Sequence, residues 1–250
     1  MRYTPRYVNT TRHTVIETAS ATWYAPPRKD APELLDMGYG TPEDVRRSMA
    51  DLWRVNVLLG GIWSITRHLY PRIRQRSGPF TVLDIGAGNA EIAGVIATWA
   101  ARYHLNVTVI PLDYAARHLQ QAQRQNNMPP LQADALRLPF ATASVDFVMS
   151  SLFLHHFTPP QVQHIFHESY RIARCAVIMS DLLRGTFNEL AWHVARPVFA
   201  RSHITYHDGL RSVQRAYLPR EFTQMAEAAG LAGARVHTPL PWRMTLVVDK

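Results

Sequence analysis

A single cysteine, Cys175, stands in 250 residues, which excludes an internal disulfide and a zinc site built on several thiolates. Lysine is almost as scarce. Only Lys29 and Lys250 occur, so arginine carries nearly all of the positive charge behind a formal net charge of +8. No stretch approaches the ~20 apolar residues a membrane-spanning helix requires. The polar start, Met1 to Tyr7, leads into no apolar run of the secretory type. Repeats, low-complexity tracts and runs of basic residues are missing as well. Scattered arginines read as a solvated surface, with no nucleic acid expected as partner, although an acidic small molecule or an anionic membrane surface suits the charge equally. These absences point to a cytoplasmic protein without a transmembrane segment; the oligomeric state is left open. What is present is 47% hydrophobic residues, enough for one cored domain and an accessory segment.

The chain divides near Ser77-Gly78-Pro79, a linker signal. Residues 1–78 read as a helical N-terminal cap. Thr41-Pro42-Glu43-Asp44 starts a helix, with a capping hydroxyl, a proline in the first turn and two acids at the positive end of the dipole. Val45, Met49, Leu52 and Trp53 recur at helical spacing. Gly60-Gly61 interrupts that helix, and Ile62, Ile65 and Leu69 continue the pattern until Pro71. From residue 79 to 250 the pattern becomes strand and helix in alternation: β-rich runs at 80–85, 107–110, 131–132, 145–150 and 176–179, with helices at about 90–102, 115–125 and 162–172 between them. Alternation of this kind implies right-handed crossovers and a doubly wound, mostly parallel α/β sheet of the Rossmann type. Ligands of such sheets sit beyond the carboxyl ends of the strands.

Asp84-Ile85-Gly86-Ala87-Gly88-Asn89-Ala90-Glu91 falls at one of those ends. Gly86 and Gly88 permit a tight turn and close approach of a ligand. A dinucleotide fingerprint would place glycine or alanine where Glu91 stands, and a phosphate-cradling loop would end in Lys-Ser/Thr. Asp84 would repel a pyrophosphate and suits a cation such as S-adenosylmethionine (SAM), which carries an ammonium and a sulfonium. Asp113 is placed to accept from both ribose hydroxyls, and Asp134 falls where an adenine amino group is read. The alternative for each acid is a loop residue capping the next helix.

On these segments the sequence resembles the class I SAM-dependent methyltransferase superfamily, in its small-molecule, quinone-methyltransferase-like branch. The resemblance rests on Val82 to Gly88, Pro111-Leu112-Asp113, Ala133 to Phe140, Ser144 to Val148 and Leu152 to Phe157. It implies a seven-stranded sheet closed by an antiparallel hairpin, here Ala234 to His237 and Thr245 to Val248. It also implies SAM held by Asp84, Gly86, Ala87, Gly88, Asp113, Tyr114, Asp134, Ala135 and Ser151. Ala90 departs from the family, which usually has a third glycine there. Arg54, Asn56 and Gly60-Gly61 resemble a segment that closes over the cofactor, so the cap is expected to act as a lid.

On the acceptor side, His155 and His156 follow the fourth strand at the cofactor mouth and are candidate general bases. The alternative is a histidine that packs against the cofactor or bonds backbone. An insertion at about 183–218 carries His203 to Gly209, where His207 beside Asp208 is a third candidate base. Arg211 and Arg215 are candidates to meet an anionic acceptor, and Trp192, with Trp53 and Trp63, to roof an apolar one. A solvated loop and plain core tryptophans are the competing readings. His164 and His167 have metal-pair spacing but no third ligand, so no metal is expected. The reading is methyl transfer from SAM to a small-molecule acceptor, O-directed on a phenolic, enolic or quinol-like group with histidine assistance. Ring C-methylation, an RNA or DNA methyltransferase and a catalytically silent SAM-binding protein are the alternatives.

Overall fold

The computed structural model describes residues 25–119 and 129–250. Two helices come first, α1 (Pro42–Leu58) and α2 (Gly61–Arg74), followed by β1 (Phe80–Ile85), α3 (Glu91–Arg102), β2 (Val107–Asp113), β3 (Leu131–Gln132) and β4 (Val145–Ser151). A 3-10 turn (Leu154–His156) leads to α4 (Pro159–Ile172), β5 (Ala173–Leu182), α5 (Thr186–Phe199), α6 (His203–Arg215), α7 (Pro219–Ala228), β6 (Arg235–Leu240) and β7 (Arg243–Asp249). The helix expected at about 115–125 begins as a turn at residues 116–119, and its remainder lies outside the described residues.

The strands form one seven-stranded sheet in the order β3-β2-β1-β4-β5-β7-β6. Pairing is parallel from β3 through β5, while β7 runs antiparallel to both β5 and β6. The order reverses between β1 and β4, and the crevice at such a reversal is where a ligand fits. Alternation along β1 sends Val82 to one face and Leu83 and Ile85 to the other, all with no exposure. On the first face Val82 meets Ile65, Leu69 and Ile73 of α2; on the second, Leu83 and Ile85 join Phe166 of α4 and Phe222 of α7. Full burial of each such side chain contributes about 1.5–3 kcal/mol. Among the described residues no helix is long and apolar enough to cross a membrane.

Four local differences from the sequence reading have physical causes. Of the cap expected over residues 1–78, residues 1–24 lie outside the described residues; α2 packs into the core of the sheet, while the 25–41 segment and α1 supply cavity-lining residues at the strand ends. Also, α2 runs through Pro71 to Arg74. Arg67, whose carbonyl loses its donor to Pro71, and Pro71 itself are both exposed, so the unpaired carbonyl is not buried and the helix tolerates the proline. The His203 to Gly209 stretch is helix and not loop, started by Ser202 accepting from the Ile204 N–H. Gly209 hid it by its poor helix propensity; it is glycine because a Cβ there would stand 2.0 Å from Cζ2 of Trp192. Finally, Ala90 adopts a left-handed φ of 58°, so it occupies a glycine-type position and is not a favourable helix start.

Candidate functional site

Beyond the carboxyl ends of β1, β2 and β4 lies a cavity of about 1460 Å³. The sequence of the β1 turn dictates its floor. Gly86 and Gly88 have φ of 71° and 54°, conformations costly for any residue with a side chain. A Cβ on Gly88 would meet nothing closer than Met49 Sδ at 4.0 Å, so that stretch of backbone is open to a ligand. Asp113, at the end of β2, accepts from the Gly88 N–H at 2.8 Å and the Ala115 N–H at 2.9 Å. One carboxylate thereby fixes the glycine turn to the next strand end. Burial opposes its charge, but His118 and these two N–H groups hold the Asp113 pKa below its ordinary value.

All nine expected cofactor residues, from Asp84 to Ser151, line this cavity. Their roles differ. Asp84 is 3% exposed, and burial, reinforced by the neighbouring Asp113 charge, pushes its carboxyl up to about 8. Asp134 accepts from the Leu136 N–H at 2.9 Å, so it makes the turn-capping contact of the alternative reading while still facing the cavity. The Ser151 hydroxyl is buried without a partner. Tyr114 is largely exposed at the rim.

Leu152, in the left-handed region at φ 55°, turns the chain after β4 and sets His155 and His156 facing the cavity. Both are tied to carboxylates. His155 is 2% exposed, with Nδ1 2.7 Å from Asp181 Oδ1 and Nε2 3.5 Å from Glu33 Oε1. Burial works against its charge, yet Asp181 and then Glu33 outweigh it and raise the pKa to about 10. His155 is thus an imidazolium with both nitrogens engaged. His156 is different: its Nδ1 lies 2.9 Å from Asp36 Oδ2. A carboxylate there places the proton on Nδ1 and leaves Nε2 as the basic nitrogen. Burial opposes the Asp36 charge, but His156 and Arg215 bring its pKa down to about 2.

Glu33 and Asp36 belong to the 25–41 segment, which is strapped across the site. Leu34 and Leu35 donate backbone N–H groups to Asp208 at 2.8 and 3.0 Å. Arg28 reaches the carbonyls of His155 and Phe157. Glu33 Oε1 also accepts from Ser212 at 2.9 Å. Glu33, His155 and His156 each bring one metal-competent atom within 4.8 Å of the others. Those atoms are engaged with one another and with Asp181, Asp36 and Ser212, so the trio reads as an ion-pair latch for the strap. Sequence spacing gave no sign of it, because Glu33 lies far along the chain from its partners.

The remaining candidates are placed differently from expectation. His207 sits on α6 with Nδ1 2.8 Å from Asp208 Oδ1, and it is Asp208 that lines the cavity. Arg211 donates to the Pro32 carbonyl at 2.5 Å, while Arg215 pairs with Asp36 at 3.0 Å and donates to the His156 carbonyl at 2.7 Å. Both arginines are therefore fastened to the strap and neither lines the cavity. Trp192 does line it, whereas Trp53 and Trp63 do not. His164 and His167 face backbone carbonyls of Leu136 and Ala229. Sequence reading missed Arg243, Asn188, Glu33 and Asp36 altogether, all of which line the cavity, as does Asn56 of the expected lid segment.

Comparison with known proteins was consistent with this geometry. Residues 82–175 match a family model described as a methyltransferase domain. None of the curated proteins matches the chain. Among solved structures, a candidate O-methyltransferase from Nostoc punctiforme is 16% identical, with a TM-score of 0.58 over 84% of this chain and 60% of that one. The chain thus spans less than two thirds of that relative's length. A SAM-dependent methyltransferase from Aquifex aeolicus (14% identity, TM-score 0.54) is covered over 99% of its length by 84% of this chain. The plantazolicin methyltransferase BamL, solved with a desmethyl-plantazolicin analogue and S-adenosylhomocysteine (SAH), is 14% identical with a TM-score of 0.58, over 84% of this chain and 97% of that one. At such identities the structural likeness is one of fold. The chain therefore carries a match to a methyltransferase domain over residues 82–175, on a fold it shares with SAM-dependent methyltransferases.

Proposed function

We propose that this protein methylates an oxygen of a small, largely apolar acceptor. The observation that carries the reading is the continuity of one cavity from the glycine turn to His156 and Trp192. A cofactor on the β1 turn and an acceptor under α5 would share that space, as in-line transfer requires. The open backbone at Gly88 and the buried carboxyl of Asp84 fit a nucleoside carrying a cationic amino acid. When bound, SAM supplies an electrophilic methyl group on its sulfonium.

The protein's own contribution is binding, orientation and proton removal. Asp113 and Asp134 would hold the nucleoside end in place. The strap and α1 would screen a bound cofactor from water, a cover of the kind that sequence reading assigned to a lid. His156 Nε2, oriented by Asp36 through Nδ1, takes the hydroxyl proton of the acceptor. His155 is a positioning residue, since its imidazolium has no free nitrogen to accept a proton. Trp192 covers the acceptor.

The test is turnover of SAM to SAH against phenolic, enolic and quinol-like acceptors, with product NMR separating O-methyl from ring C-methyl groups. His156→Ala is expected to lower kcat by roughly 10²–10⁴-fold with SAH affinity unaltered. Loss of SAH binding in the wild-type chain, with a nicotinamide dinucleotide bound in its place, would overturn the reading.

A further inference from the structure

Arg243 has no exposure at all, the largest side chain so buried among the described residues. Its contacts are unlike those of the other buried arginines. Arg184 is paired with Glu221 at 2.7 Å and Arg215 with Asp36 at 3.0 Å. Arg243 instead donates from Nε to the Leu59 carbonyl at 3.1 Å and from Nη2 to Asn56 Oδ1 at 3.2 Å, both neutral acceptors. Its Nη1 is buried without any partner, and among the described residues it forms no ion pair. An isolated charge removed from water costs several kcal/mol unless an anion neutralises it. Burial accordingly lowers the guanidinium's pKa to about 10, against the pull of Asp181.

Arg243 is not enclosed in solid core, since it lines the cavity. Four further buried atoms without partners belong to residues that line the same cavity: His118 Nε2 and Ser151 Oγ, and, one turn apart on α5, Asn188 Oδ1 and Trp192 Nε1. Asn188 is rigidly held by donating Nδ2 to the carbonyls of Leu183 and Pro241 at 2.8 and 3.1 Å. Two unpartnered donors, one of them cationic, thus belong to residues that line a cavity also lined by the apolar side chains of Leu52, Val55 and Ala195. That is the donor set for a carboxylate or similar anion on an apolar frame.

Position separates this place from the cofactor turn. Along α1, Met49 adjoins Gly88, while Asn56, seven residues on, holds Arg243. At 1.5 Å per residue the two lie roughly 10 Å apart. We propose that Arg243, with Trp192 Nε1, anchors a carboxylate of the methyl acceptor, so that the substrate class is small apolar acids. This rests on the reading of the cavity as a SAM and acceptor site, and it moves the anion anchor from Arg211 and Arg215, which the strap occupies, to Arg243.

The full-length protein saturated with SAH would be titrated calorimetrically with benzoate, 4-hydroxybenzoate and hexanoate, each beside its neutral amide. At least one acid is expected to bind 10-fold or more tightly than its amide. Arg243→Gln is expected to abolish that preference while leaving the SAH Kd within twofold. Should Arg243→Gln fail to fold by circular dichroism, Trp192→Phe keeps the ring, loses the N–H, and is expected to weaken the acid several-fold without affecting the amide. Equal binding of acids and amides, or of acids to wild type and variant, overturns the inference while SAH binding stands. An Arg243→Gln or Trp192→Phe loss of SAH affinity overturns it too, by assigning the arginine to the cofactor's own carboxylate. Failure of SAH itself to bind refutes instead the functional reading beneath.

Discussion

The ionisation of Asp84 can be tested by changing pH alone. In the ligand-free protein its carboxyl titrates at about 8, raised chiefly by burial and further by Asp113. A cationic cofactor bound in this cavity would favour the carboxylate. At pH 6 the group is two pH units below its pKa. Ionising it there costs about 2.7 kcal/mol, or about 100-fold in affinity. The Kd for SAH should therefore fall roughly tenfold per unit between pH 6 and 8 and then level off. Below pH 8 each binding event expels close to one proton. Calorimetry at pH 7 in phosphate and in Tris, whose ionisation enthalpies differ, should then give apparent enthalpies that differ accordingly. Asp84→Asn should flatten the pH profile. Linkage supplies a second sign to check. The folded pKa of Asp84 lies above its unfolded value of 3.8, so its contribution to stability is whole below pH 4 and is lost as pH rises through 8. The ligand-free protein should unfold at lower denaturant at pH 8 than at pH 6 from this group, and SAH should close the gap. A Kd that stays constant from pH 6 to 8, with the same enthalpy in both buffers, would refute the reasoning.

Leu69→Ala should lower unfolding free energy by about 2–5 kcal/mol in urea denaturation, because α2 is core; a change under 1 kcal/mol would make it a detachable lid. Gly209→Ala drives a methyl group into the Trp192 ring, and overpacking of this kind costs about 1–3 kcal/mol, readable as a drop in Tm of several degrees. At Ala90 the left-handed backbone costs about 1–2 kcal/mol. The buried methyl, at about 0.8 kcal/mol, and the entropy of a new glycine, at about 0.5–1 kcal/mol, offset that strain. Ala90→Gly should therefore leave stability within about 1 kcal/mol of wild type by the same denaturation assay.

Much of this site was written in local sequence. The alternation of β-rich and helical runs fixed the doubly wound sheet, because short-range periodicity and right-handed crossovers leave few other arrangements. Asp84, Gly86, Gly88, Asp113 and Asp134 could be picked out because each sits at a strand end, a position that a linear reading can locate. The acceptor side was not legible in that way. Arg243 looks like any of the scattered arginines until β7 is inserted antiparallel beside β5, burying it at the cavity wall. Arg211 and Arg215 looked free until the 25–41 segment folded back to take them. His155 and His156 were visible as neighbours, but which nitrogen carries a proton depends on Asp181, Glu33 and Asp36, brought in from distant parts of the chain. Periodicity and turn chemistry act over a few residues and so can be read in order. Charge compensation in a buried space acts across a few ångströms regardless of chain distance, and only the folded arrangement decides it.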